Sequence, residues 1–301
     1  AIGMACCMLI LLYVQDELSY DRYHDQADRI YRVVDRMSAN SPPALAPALQ
    51  NDFPEIEEYT RFKPPFGVWM MRYEDRVFYE GSVYSTEASV FDLFNFPLVQ
   101  GDPNTALQDP NAVVLTESMA RKYFGDENPM GKILSEDDGV LNIRVMGVMK
   151  DVPENTHFSP DFLFSIATMP VFYNPNVLKF WDDNIFYTYI RLSPDALPSA
   201  LEQKLPLFID KYTRQPENAG GSTLEPSLQA VTDIHLYSHL ENELGANSDI
   251  AYIYILSSVA LFMLLIACIN FMNMATARAA GRAREVGLRK VVGAKRLQLI
   301  R

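Results

Sequence analysis

IAYIYILSSVALFMLLIACINFMNMATA, residues 250–277, runs for 28 residues without a charge. At about 1.5 Å per residue a helix of that length reaches about 42 Å, enough to cross a bilayer with tilt or overhang. A dense basic segment follows: Arg278, Arg282, Arg284, Arg289, Lys290, Lys295, Arg296 and Arg301, against one acid, Glu285. The positive-inside rule places that end in the cytoplasm. The region ahead of the span, residues 16–249, is therefore expected outside the cytoplasm, and any function must use both sides of a membrane.

Working outward, the first fifteen residues, AIGMACCMLILLYVQ, are also apolar and uncharged, and Asp16 and Glu17 end the run. A signal-peptide core is the rival reading, but there is no initiating Met, basic n-region or small-x-small site before Asp16. Residues 1–15 are expected to be the outer end of a first transmembrane helix, and residues 250–277 the second. Arg301 falls inside an amphipathic pattern, so the chain reads as a piece of a longer protein.

Charge is divided along the chain. Of 26 Lys+Arg and 38 Asp+Glu, the tail from Arg278 holds eight and one, which leaves 18 and 37 for the rest. Such an acidic outer domain is a poor nucleic-acid binder. The basic tail, set against a span, points to lipid headgroups or a cytoplasmic partner. Cys6, Cys7 and Cys268 all lie in apolar segments, so no disulfide and no cysteine metal site is expected in the outer domain. His235 and His239 have helical i,i+4 spacing, but His235 sits in a β-like run without a metalloprotease glutamate, and no metal site is expected.

The outer region predicts an α+β fold, an extracytoplasmic mixed α/β domain of two subdomains, flanked by transmembrane helices. Tyr23, Ala27 and Ile30 have helical spacing, and Ile30–Val34 reads as a strand. A short helix follows at 48–53, after prolines 42, 43 and 47. Short β-like runs come at 59–62, 68–73 and 77–79. Residues 112–115 read as a buried strand. Thr116 caps a helix, Glu117 complements its dipole, Gly125 ends it, and Met119, Ala120, Tyr123 and Phe124 form its apolar stripe. Further strands are predicted at 143–148, 185–192, 228–231 and 234–236. A helix is predicted over 194–212 with Leu197, Leu201, Leu205 and Phe208 facing in.

Little of this points to catalysis. There is no Walker phosphate loop, no G-x-S-x-G elbow and no H-E-x-x-H. The clustered acids Glu55, Glu57, Glu58, Asp137, Asp138, Asp182 and Asp183 read as solvated surface. Trp69 and Trp181 read as core or subdomain contacts. Asn270 and Asn273, at i,i+3 in the span, read as transmembrane packing residues that hydrogen-bond to a neighbouring helix. In the tail, Val286, Leu288, Val291 and Val292 alternate with basic residues, a basic amphipathic helix at the membrane surface. Gly281, Gly287 and Gly293 each weaken a free helix by about 1 kcal/mol relative to alanine. They make sense where another backbone approaches closely.

Arg282-x-x-Glu285-Val-Gly-Leu-Arg-Lys-x-x-Gly293-Ala294 resembles the coupling segment of the MacB/FtsX-like family of ABC transporter permeases. Leu264–Arg278 resembles that family's second transmembrane helix. Three outer phrases are similar to its MacB-like periplasmic core domain: Gln15–His24 (QDELSYDRYH), Val114–Lys132 (VLTESMARKYFGDENPMGK) and Gly147–Phe158 (GVMKDVPENTHF). The resemblance implies four parts: residues 1–15 ending a first transmembrane helix, 16–249 a periplasmic domain, 250–277 a second transmembrane helix, and 278–301 a cytoplasmic coupling segment. It implies a permease of the bacterial inner membrane without its own ATPase or cofactor, ATP being bound by a separate cytoplasmic ABC ATPase. Arg282, Glu285, Val286, Gly287, Leu288, Arg289, Lys290, Gly293 and Ala294 would form the ATPase-coupling surface. A second permease copy, a periplasmic adaptor and membrane lipid are the other implied partners. The substrate stays open. The competing classes are a two-span sensor, whose second span would open a coiled-coil heptad, and a regulator that binds cell-wall hydrolases.

Overall fold

The structure, a computed structural model, describes residues 2–65, 67–136, 141–213 and 224–291. The chain divides into two compact units, Ser19–Ser248 and the paired segments Ala1–Leu18 and Asp249–Arg301.

Within Ser19–Ser248 a four-stranded sheet has the order β12-β1-β11-β2. Its strands are β1 (Ile30–Asp35), β2 (Ile56–Phe62), β11 (Tyr187–Leu192) and β12 (Pro226–Ala230), all antiparallel. A larger sheet of eight strands has the order β4-β3-β8-β9-β7-β10-β5, with β6 on β9. These strands are β3 (Trp69–Tyr73), β4 (Arg76–Glu80), β5 (Val83–Thr86), β6 (Leu98–Gln100), β7 (Ala112–Thr116), β8 (Ile133–Glu136), β9 (Asn142–Met149) and β10 (Phe162–Ser165). The pairs β7/β9 and β5/β10 are parallel, and the rest are antiparallel.

Period-two alternation sends neighbouring side chains of each strand to opposite faces. Val113 and Leu115 pack with Tyr123 and Phe124 of α4 (Glu117–Phe124), whereas Val114 enters the core shared by both sheets. That shared core also takes Ile30, Tyr187 and Tyr189 from the small sheet and Met149 and Leu163 from the large one. Its centre is aromatic: the Phe62 ring lies 4.7 Å from Phe158 and 5.7 Å from Phe94. Such pairs contribute about 0.5–1.5 kcal/mol each beyond area burial. The other side of the small sheet is covered by α2 (Leu45–Asp52), α6 (Pro198–Glu202) and α7 (Leu205–Thr213) through Leu45, Leu49, Leu201, Leu205 and Phe208, with Trp181 buried among them. One-turn α-helices among the described residues of this unit are α3 (Val90–Leu93), α5 (Met169–Phe172) and α8 (Ile234–Tyr237).

The predicted helix over 117–124 forms as its caps dictate: the Thr116 hydroxyl accepts the Met119 amide, and Gly125 takes φ 63° while its amide bonds the Arg121 carbonyl. Other expectations need correction. The helix expected over 194–212 is two, because Pro206 lacks an amide and would clash with the carbonyl four residues back. Leu197 is exposed at the start of the first and not part of the inner face. Residues 234–236 are a helical turn rather than a strand, since Ile234, His235 and Leu236 are all buried and a strand would alternate. The helical spacing of Tyr23, Ala27 and Ile30 yields only turns and a 3₁₀ turn at Ala27–Arg29, with Asp21 at φ 59° ahead of it. The helix expected at 48–53 begins at Leu45, with Pro47 inside its first turn, where no amide is needed.

In the other unit, α1 (Ile2–Glu17) and α9 (Ile250–Val291) pair antiparallel. Ile253, Ala260 and Ala267 recur every seven residues on α9. A Cβ at Gly3 would stand 3.9 Å from that of Ala267, and the Cys7 thiol donates to the Ala260 carbonyl at 3.3 Å. Small residues at this spacing let two apolar helices close on each other. One stretch, Ile250–Leu288, is long and apolar enough to cross a membrane among the described residues.

Candidate functional site

The helix α9 continues past Ala277 to Val291 without a break. Arg282, Glu285, Val286, Gly287 and Leu288 lie on it exposed, and Arg289 and Lys290 fall in its last turns. Gly293 and Ala294 lie outside the described residues, as does Val292. A Cβ at Gly281 or Gly287 would meet nothing within 4 Å. Asn270 and Asn273 are exposed on α9, and α1 does not bury them.

A second constellation lies buried inside Ser19–Ser248, where two of the outer motifs meet. The Asp21 carboxylate, with no exposed surface, accepts the Thr156 hydroxyl at 2.8 Å and the His157 amide at 3.2 Å. His157 Nδ1 lies 2.8 Å from the same oxygen, and Nε2 lies 2.6 Å from the Tyr189 hydroxyl. The Asp21 amide donates to the Asn155 carbonyl, and the Asn155 side chain donates to Ser19 Oγ. Burial alone would raise the Asp21 carboxyl, but the His157 charge and the hydrogen bonds from His157 and Thr156 bring it below its ordinary value.

Tyr189 on β11 stands opposite Arg32 on β1. Arg32, fully buried, holds Glu243 with two bonds of 2.6 and 2.8 Å and also donates to Gln229 and Ser238. Burial disfavours the Glu243 carboxylate, yet the Arg32 hydrogen bonds and charge pull it below its usual range. Glu243 belongs to the segment that leads toward α9, and that segment is fixed at several points. Tyr20 and His235 stack with ring centroids 3.4 Å apart, the His235 carbonyl accepts the Ser248 amide, and Gly245 passes so close to the His157 carbonyl that a Cβ would lie 2.6 Å from it. The segments that enter and leave this unit are thus tied to one node. The Gly147–Phe158 phrase also reaches the third motif, where Asp151 accepts the Ser118 amide and hydroxyl.

Asp21, His157 and Tyr189 form an acid–imidazole–hydroxyl relay, but it is not an exposed nucleophile. Tyr189 has no surface, and burial raises its hydroxyl pKa, the opposite of activation. The clustered acids are no closer to a site. Glu55 pairs with Lys204, and Glu57 with Arg29 and Arg191. Asp137 and Asp138 lie outside the described residues. Among the described residues no group of three His, Cys, Asp or Glu is placed to hold a metal. His235 is buried and stacked on Tyr20, and His239 lies past the end of α8, so the expected i,i+4 helical spacing does not form. Trp181 is buried, and Trp69 packs its ring 5.1 Å from Phe164.

The described residues thus hold an α+β domain whose two sheets share one core, and one helix long and apolar enough to cross a membrane. A family model described as "MacB-like periplasmic core domain" matches residues 1–206, and the chain belongs to that family and, with it, to the MacB/FtsX-like ABC transporter permeases. The macrolide export ATP-binding/permease protein MacB of Neisseria meningitidis serogroup A is 24% identical over 221 residues, covering 71% of this chain and 31% of that protein. The MacB protein of Bdellovibrio bacteriovorus is 24% identical over 187 residues, covering 62% and 26%. The chain therefore spans about a third or less of the length of these relatives. Among solved structures, a domain assigned to a permease protein of Porphyromonas gingivalis aligns with TM-score 0.60 and 26% identity, covering 73% of this chain and 96% of that one. The periplasmic region of MacB from Actinobacillus actinomycetemcomitans aligns with TM-score 0.51 and 17% identity, covering 69% and 91%, a likeness of fold.

Sequence reasoning had quoted Asp21, Asn155, Thr156 and His157 within motifs but had not joined them. Arg32, Tyr189, Glu243 and Gly245 were missed. The visible signal was an arginine and a tyrosine inside otherwise buried strands, since a charge at such a position needs a partner.

Proposed function

We propose that this chain is the permease segment of an ABC transporter, relaying the ATP-driven motion of a separate cytoplasmic ATPase to its periplasmic domain for export or envelope work. Residues 1–15 would end the first transmembrane helix, residues 250–277 would form the second, and residues 278–301 would begin the coupling segment. The observation that carries the reading is that Gly281 and Gly287 stand in open space on a helix whose own packing gives them no reason. Helix-interior glycine costs about 1 kcal/mol relative to alanine, and close approach by a partner offsets that. Arg282, Glu285, Val286, Leu288, Arg289, Lys290, Gly293 and Ala294 would complete the docking surface, small residues allowing approach and charges setting register. Asn270 and Asn273 would hydrogen-bond to a further helix or a second permease copy.

The test is the Glu285→Ala, Arg289→Ala double variant of the full-length protein, purified with its ATPase in nanodiscs. Loss of substrate-stimulated ATP turnover with the fold retained supports coupling through this surface. Unchanged coupling overturns it.

A further inference from the structure

An edge strand offers unpaired amides and carbonyls to any further strand unless something covers it. The sheet ends β2, β5 and β12 are each met by another segment. On β2 the Gln50 side chain and the Ser89 hydroxyl donate to the Glu57 and Tyr59 carbonyls, and Glu87 accepts the Arg61 amide. On β12 Glu202 accepts the Leu228 amide, and on β5 Ser85 exchanges both backbone bonds with Lys63. The remaining end, β4, pairs with β3 on one side, and among the described residues nothing bonds to the backbone of its outer side. The register shows which groups face out. The Glu136 amide bonds the Leu141 carbonyl, and bonding direction alternates along a strand, so Ser135 turns to β3, where it faces Arg72. Met71 then turns to β4 and bonds Phe78, which leaves the amides and carbonyls of Val77 and Tyr79 pointing outward.

The side chains alternate as well. Tyr79 is 69% exposed on the open face of the sheet. On the α4 face the Phe78 ring lies 5.1 Å from Tyr123, and Glu80 accepts the Lys122 ammonium and the Tyr123 hydroxyl, both on Oε1. Exposed Arg76 gives one of its N–H groups to the Tyr123 carbonyl at 2.6 Å and keeps others to give. Arg76-Val-Phe-Tyr-Glu80 is thereby its own antiparallel complement. With Phe78 on a two-fold axis, Val77 faces Tyr79 of the second copy and exchanges both backbone bonds with it, and Arg76 faces Glu80. We infer that two copies of this chain join edge to edge along β4 in this register. A five-residue edge buries far less than the roughly 1,200 Å² of a stable interface. The contact therefore suits chains already held in one bilayer, where the second contact is intramolecular. It rests on the membrane reading of α9 and not on coupling to an ATPase.

The full chain, with Cys6, Cys7 and Cys268 replaced by alanine, is placed in nanodiscs at two chains per disc and mildly oxidised. Val77→Cys and Tyr79→Cys chains are tested mixed and each alone. Facing bonded residues stand about 5.5 Å apart, within disulfide reach, whereas like positions lie on the diagonal at about 7–8 Å. The mixture should give at least fivefold more linked dimer than either variant alone. Arg76→Glu in both chains sets like charges opposite Glu80 and should cut the linkage at least fivefold with the unfolding midpoint retained. The unaltered chain decides the question if a cysteine variant does not fold: its Val77 and Tyr79 amides should exchange hydrogen at least fivefold more slowly at two chains per disc than at one. Linkage as strong in either variant alone, linkage indifferent to Arg76→Glu, or a dimer whose β4 amides stay unprotected overturns the inference.

Discussion

Gly245 and Gly287 are the same residue in opposite surroundings. At Gly245 a Cβ would stand 2.6 Å from a carbonyl, whereas at Gly287 it would meet nothing within 4 Å. The first is explained entirely inside the chain, because the outgoing segment must pass against His157. Among the described residues the second meets nothing that would explain it, and the proposed reason is a partner. Residues around the buried node should therefore answer to stability, and residues on the last turns of α9 to assembly.

The largest test of that division is Asp21→Ala. It removes the acceptor for Thr156 and His157, and breaking a buried charged pair costs about 3–5 kcal/mol. Thermal unfolding should move down by about 2–4 °C for each kcal/mol lost. A shift under a few degrees would show that the node carries no load.

Next is pH. His24, enclosed by Phe94 and Phe96, accepts the Asn95 amide at Nδ1, and burial pushes its pKa down to about 4. The unfolded chain takes up this proton near 6.5. The stabilisation is therefore full above pH 6.5 and lost as pH falls through 4, by about 3 kcal/mol in all. Depression of Asp21 adds a further loss at lower pH. Denaturation midpoints across pH 4–7 should slope accordingly, and His24→Gln should flatten the slope. An unchanged slope in that variant would remove His24 from the account.

Smaller still is Gly245→Ala. Overpacking of this kind costs about 1–3 kcal/mol, read as a lower unfolding midpoint with the helical content of α9 retained. A neutral result would mean that the outgoing segment yields, and the contrast with Gly287 would fail on its structural side.

What was legible in the sequence follows the range of each interaction. The strand and capped helix over 112–124 are written in adjacent residues, because Thr116, Glu117 and Gly125 each act within four positions. The strands read at 59–62, 68–73 and 143–148 are legible for the same reason, through β-branched and aromatic alternation. Residues 234–236 were misread because their neighbours decide the matter: Tyr20, more than two hundred positions away, stacks on His235. Short strands such as β5, β6 and β8 lack a pattern of their own and exist through the partners they pair with. The node needs five separate segments, from Ser19 to Glu243; the phrases at 15–24 and 147–158 carry a signal as motifs rather than as contacts, and Arg32 and Tyr189 carry one as polar side chains within strands. The proposed coupling surface is the reverse case, visible as a string of adjacent residues.

Gly287→Ala is the smallest effect and the most discriminating, because the two regions predict opposite signs. Replacing a helix-interior glycine in open space should stabilise α9 by up to about 1 kcal/mol. Helical content and protection of its last turns from hydrogen exchange should rise slightly, and unfolding of the domain built on Asp21 should not move. The same methyl group should obstruct the partner backbone proposed to approach the helix, so the variant should lose affinity for the proposed ATPase partner while becoming the more stable protein. A variant that gains helix and keeps full affinity would mean that the glycine serves flexibility rather than contact, and the docking surface would have to rest on Glu285 and Arg289 alone.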